Sequence, residues 1–178
     1  MSAVRRVITG VSGSPGSLAA LRYGVGLARQ HDAVLVAVHA WTPPGGDRAD
    51  RSHPSGHLRQ IWTDTAWQRL WTAIELALGG VPADVSFEPL ALRGEPGSVL
   101  VSLADGEDNL LVLGTGRRGP LSRLLACHVS RYCLAHATCP VVAVPPPALA
   151  QLGHGLRGWA LRHRGLGPLE AGFPADRG

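Results

Sequence analysis

Strand-like and helix-like segments alternate without interruption from residue 4 to residue 144, and few folds satisfy that alternation. Val4 to Val11 is apolar and β-branched and stops at Ser12-Gly13-Ser14-Pro15-Gly16-Ser17. Such a cluster ends a strand and opens a helix. Ser14 before Pro15 fits an N-cap followed by proline at the first helical position. Leu18, Leu21, Val25 and Ala28 then recur at helical spacing. Ala33 to Ala40 is apolar except for His39, as expected of a strand buried on both faces.

Residues 42–57 are rich in Pro, Gly, Asp, Arg, Ser and His and read as a mobile polar loop. Leu58 to Leu78 reads as a long helix with Ala66, Leu70, Ala73, Ile74 and Ala77 on one face, ended by Gly79-Gly80. Val85 to Leu92 is a third strand and Ser98 to Ala104 a short helix. Asn109 to Leu113 is a fourth strand, running into Gly114-Thr115-Gly116-Arg117-Arg118-Gly119. Leu121 to Ala137 is largely helical, and Pro140 to Val144 is a fifth strand stopped by prolines. The pattern predicts a doubly wound, open, five-stranded parallel α/β sheet with helices on both faces. Ligands on such sheets sit beyond the carboxyl ends of the strands, here Ser12, Trp41 and Gly114.

The length of 178 residues suits one domain with an appendage. Residues 1–144 hold the alternating pattern, and 145–178 form a Pro-, Gly- and Arg-rich tail expected to be disordered or loosely docked. A partner-binding segment around Trp159, Arg157, Arg162 and Arg164 is the alternative there. A hydrophobic share of 45% with 17% charged residues excludes wholesale disorder. No apolar run approaches the roughly 20 residues that span a bilayer, and the N-terminus lacks a signal-peptide core, so a cytoplasmic protein is expected. All 17 basic residues are Arg and are spread along the chain. That scatter reflects composition better than a nucleic-acid interface, which needs a clustered basic face.

A Gly-rich turn leading to a helix, as after the fourth strand, offers backbone N–H groups and a helix dipole to an anion. With Val7 to Ser17, Val38-His39-Ala40-Trp41, Leu92-Arg93-Gly94-Glu95-Pro96 and Leu111 to Val144, it resembles the universal stress protein family of the single-domain type. The resemblance covers residues 4–144. It implies an adenine nucleotide alpha hydrolase-like sheet of order 3-2-1-4-5, and a regulatory stress-response module that binds ATP or AMP without catalysis. It also implies a homodimer paired through Pro140 to Val144. The alternative is a dimeric interaction protein of the same fold that has lost its nucleotide.

Nucleotide-binding members of the family use an Asp after the first strand for ribose, backbone after the second for adenine, and a glycine motif for the phosphates. Carried over by position, these fall on Ser12, on Ala40, and on Gly114, Arg117, Cys127 and His128, followed by Val129 and Ser130. The motif is degraded. Ser12 is a neutral group where Asp would accept charge-assisted bonds. Arg117 and Cys127 place side chains where glycine lets backbone approach a ligand. The shifted frame Gly116 to Gly119 keeps two glycines but meets Val129-Ser130 nine residues on.

Cys127, His128, Cys133, His136 and Cys139 suggest a metal site at first sight. On one helix, however, Cys127 and Cys139 would stand about 18 Å apart at 1.5 Å per residue, and zinc needs ligands converging on one point. Packing is the expected role, and no metal site is expected. Trp67 and Trp71 share a helical face and are expected in a core or interface, and His53 and His57 in solvent. Ser12 to Ser17 faintly resembles the loop of ATP pyrophosphatases but has Gly16 where those have Asp. No nucleophile–base pair stands out, so a non-enzymatic protein is expected.

Overall fold

The computed structural model describes residues 3–52, 54–115 and 122–147, with backbone alone at 47, 49 and 122–127. Five strands alternate with helices: β1 (Arg6–Gly10), α1 (Pro15–His31), β2 (Val34–Trp41), α2 (Gly46–Ser52), α3 (Gly56–Leu78), β3 (Phe87–Arg93), α4 (Pro96–Leu103), β4 (Asn109–Gly114), α5 (Ser122–His136) and β5 (Val141–Val144). The sheet has the order β3-β2-β1-β4-β5, and each of its pairings is parallel. The expected fold is the observed one. The third strand starts two residues later than the apolar pattern suggests, at Phe87, because Val85 and Ser86 still belong to the approach from α3.

Strand side chains alternate between faces, and each face has its own core. Val7, Leu35, Ala37 and Val112 meet Leu21 of α1 with Leu70 and Ile74 of α3. Ile8, Val36, Val38 and Leu111 meet Leu100 of α4 and Cys133 of α5. This two-sided burial explains why β2 reads as a continuous apolar run.

The helix ends follow local chemistry. Ser14 caps α1 by accepting Ser17 N–H at 3.2 Å, and Pro15 follows at the first helical position. Ser55 caps α3 by accepting Leu58 N–H at 3.3 Å, and Gly79, at φ +72°, ends it. Arg22 reaches from α1 to donate to the carbonyls of Ala77 and Leu76 at 2.8 and 3.0 Å, satisfying acceptors that the end of α3 leaves open.

One expectation is corrected. Residues 42–57 are not a plain loop: they contain α2 and the first residues of α3. A burial pattern cannot reveal α2, because its residues are almost all polar. Its Asp50 is buried in an ion pair described below. Among the described residues, no helix is long and apolar enough to cross a membrane. The tail from residue 148 lies outside the described residues.

Candidate functional site

Strand order reverses between β1 and β4, the place where doubly wound sheets bind ligands. A cleft of about 110 Å³ opens there, lined by Gly10, Ser12, Leu113, Gly114, Val129 and Ser130 among others. That is smaller than the roughly 300–1,000 Å³ of a pocket that encloses a whole drug-sized ligand.

The β1–α1 turn forms one wall. Ser12 is exposed, and its hydroxyl lies 3.1 Å from Ser14 Oγ and 3.3 Å from Ser17 Oγ. Ser12 N–H donates to Ser17 Oγ at 3.2 Å, and Ser17 Oγ donates to the Ser14 carbonyl at 2.9 Å. Three short hydroxyls therefore tie the turn to itself. Such neutral bonds contribute about 1 kcal/mol each and exchange readily with a ligand hydroxyl.

Gly114 is glycine for a reason inside the fold. A Cβ there would fall on the Gly16 carbonyl of α1. Gly16 in turn approaches Thr115, where its own Cβ would stand 3.3 Å from the carbonyl oxygen. The end of β4 and the first turn of α1 thus touch backbone to backbone, which only residues without side chains permit. Thr115 N–H then donates to the Val144 carbonyl at 2.8 Å, closing the β4–β5 corner.

On the opposite side of β1, Val38 turns its carbonyl toward Val11 N–H at 2.8 Å. Ala40, two residues on, turns its peptide edge the same way, past the point where β1 leaves the sheet. His39 fixes that divergence. It is 8% exposed, and its Nδ1–H donates to the Val11 carbonyl at 2.8 Å. The contact defines the tautomer: Nδ1 carries the proton, since a carbonyl can only accept. The lone polar residue in the apolar run from Ala33 to Ala40 was its sequence signal.

The α5 wall follows the expected helix, and the carried-over phosphate residues fall inside it. The helix begins at Ser122, so His128, Val129 and Ser130 lie in its second and third turns. Only the first four N–H groups of a helix lack intrahelical partners. The amides at 128–130 are therefore bonded within α5, unlike the loop amides that would wrap a phosphate. Of the carried-over residues, Ser12, Gly114, Val129 and Ser130 come together at the cleft. Ala40 does not line it; its neighbour Val38 does. His128 is exposed and faces a separate cavity of about 250 Å³ with Glu95, Pro96 and Tyr132, which shares Val129 with the cleft. Arg117 and Arg118, with Gly116 and Gly119, lie outside the described residues, as does the side chain of Cys127.

Cys133 is fully buried, and burial pushes its thiol up to about 11, with Cys139 adding to the shift. Both thiols belong to the α4–α5 core, and neutral buried thiols of this kind are unreactive packing groups. His136 stacks on Tyr132 at 4.2 Å between ring centroids. Among the described residues no three His, Cys, Asp or Glu side chains converge as a metal site would require. Trp67 packs against the core, but Trp71 is 44% exposed, so the two do not share a buried face. His57 is exposed on the first turn of α3, and His53 lies outside the described residues.

Comparison with known proteins gives a consistent result. Residues 3–145 match the model of the universal stress protein family. A universal stress protein of Thermus aquaticus is 30% identical over 124 residues, 66% of this chain and 81% of that protein. One of Mycolicibacterium smegmatis is 27% identical over 145 residues, 79% of this chain but 45% of its relative. Among solved structures, a universal stress protein from Lactobacillus plantarum superposes with a TM-score of 0.58 at 18% identity, covering 81% of this chain and 99% of that one. Another, solved in complex with cAMP, gives 0.51 at 24% identity, covering 82% of this chain and 100% of that one. At these identities the structural likeness speaks to fold.

Proposed function

This chain belongs to the universal stress protein family, and from that premise we propose that it is a stress-response module binding a small adenine ligand at the monophosphate level, AMP or a cyclic relative, rather than ATP. Its role is to bind and report, not to turn the ligand over. The observation that carries this reading is the start of α5 at Ser122. A triphosphate needs several donors converging on its oxygens, and the amides of His128 to Ser130 are spent within the helix. One phosphate asks less. The hydroxyls of Ser12 and Ser130 at the cleft can serve a ribose or a single phosphate. A family member of the same fold has been solved with cAMP. Adenine would lie against the peptide edge of Ala40.

Titration calorimetry with AMP, cAMP and ATP tests the reading. The expected result is binding of AMP or cAMP with ATP no tighter than either. ATP binding tenfold tighter than AMP would overturn it. Heat from none of the three would favour the second reading, a nucleotide-free interaction protein. One observation speaks for that alternative: Gly114 is already required by its contact with Gly16, so its presence needs no ligand. In either case we place the homodimer contact at β5, an edge strand paired on one side with β4. Sedimentation at tens of micromolar should show a dimer, and monomer alone would remove that contact.

A further inference from the structure

A polar segment with a nearly inaccessible carboxylate is unusual, and residues 42–52 contain one. Asp50 lies on α2, and its side chain is 3% exposed. Arg93 Nη2 stands 2.8 Å from its Oδ2, and Arg59 Nε donates to Oδ1 and Oδ2 at 3.3 and 3.2 Å. The arginines come from two other elements, Arg59 from the first turns of α3 and Arg93 from the last position of β3. Arg93 stands opposite Trp41 in the sheet, and Gly94 N–H donates to the Trp41 carbonyl at 2.8 Å. The cluster therefore sits at the carboxyl ends of β2 and β3.

Among the described residues of the segment, Pro43 is the other buried one. A helix of seven residues does not persist on its own, and α2 makes few contacts with any other element. Its other described polar contacts are local: Ser52 Oγ donates to the Arg48 carbonyl, and Gly46 N–H to that of Pro43. Gly45 and Gly46, at φ +80° and +77°, join α2 to β2 in a conformation that L side chains rarely adopt. Asp50 ties this segment to α3 and β3 through Arg59 and Arg93. A buried ion pair adds little net stability over an apolar residue of the same shape, and it earns its place by fixing one arrangement. The arginine fork also accepts carboxylate and phosphate oxygens alike.

We propose that residues 42–52 are a strap over the carboxyl ends of β2 and β3, and that Asp50 is the internal occupant of a phosphate site formed by Arg59 and Arg93. A phosphate group entering that site displaces Asp50 and frees the strap, which turns on Gly45 and Gly46. The site is separate from the cleft between β1 and β4, so it does not depend on the nucleotide reading.

Amide hydrogen exchange and phosphate titration on the full chain test it. Asp50→Asn keeps the side-chain shape and removes the charge. It should speed exchange across residues 42–52 at least tenfold while leaving peptides from β1 and β4 unchanged. Inorganic phosphate, followed by phosphorus NMR, should bind this variant at least tenfold more tightly than the wild type, and Arg59→Gln added to Asp50→Asn should abolish the gain. In the wild type, phosphate should speed exchange in 42–52, and chloride at equal ionic strength should not. Unchanged exchange in 42–52, or a uniform rise across the whole chain, would overturn the latch. Phosphate binding no tighter in Asp50→Asn would overturn the vacated site. If calorimetry shows no AMP binding but these results hold, the cleft reading fails alone.

Discussion

The two halves of the sheet's carboxyl edge are closed by different chemistry. At β1 and β4, backbone meets backbone through Gly16 and Gly114, and three serine hydroxyls tie the turn. At β2 and β3, a short polar helix is held by a buried carboxylate between two arginines. The first corner is set by sterics and cannot shift without moving main chain. The second is set by charge and can exchange one anion for another. A fixed corner suits a shaped cleft, and an exchangeable corner suits a moving part.

The largest expected effect breaks the fixed corner. Gly114→Ala places a methyl group on the Gly16 carbonyl, a rigid neighbour. It should cost about 3 kcal/mol, the upper end for overpacking, read as a lowered midpoint in urea. His39→Ala comes next. It leaves the Val11 carbonyl without its 2.8 Å donor and opens a space at the end of β2. About 2 kcal/mol should be lost, within the range for a buried polar group deprived of its partner. Ser14→Ala removes the cap of α1 and should cost about 1 kcal/mol by thermal unfolding.

The smallest effect concerns the charged corner and acid. Burial pushes the Asp50 carboxyl up, but hydrogen bonds from Arg93 and Arg59, with their charges, outweigh it and hold the group below its ordinary value. A carboxylate whose folded pKa is depressed contributes stability above its unfolded pKa, near 3.9. That stability is lost as pH falls through the folded value. Stability curves of wild type and Asp50→Asn should therefore differ at pH 6 and converge as the pH falls below 4. A constant gap across that range would show that the ion pair does not stabilise the fold.

The sheet was legible because burial writes itself into sequence. Val34 to Val38 is apolar on both faces, and the Ser14-Pro15 start and Gly79-Gly80 stop carry their own signatures. Ser12, Gly114, Val129 and Ser130, singled out by position in the sequence, line one cleft. Two features were not legible. Asp50 pairs with residues 9 and 43 positions away, and no local pattern records such a partnership. The extent of α5 could be read from Leu121 to Ala137, but motif spacing carries over residues without fixing which of their amides are free.

The amides at His128, Val129 and Ser130 are committed to α5 and unavailable to a polyphosphate. Residue-resolved amide exchange, by NMR, on the free protein and with saturating ATP measures this directly. Helix-level protection is expected at all three positions in the free protein, with less than a twofold change on adding ATP. Unprotected amides in the free protein that become protected with ATP would contradict it, and would restore a phosphate-wrapping loop at this position.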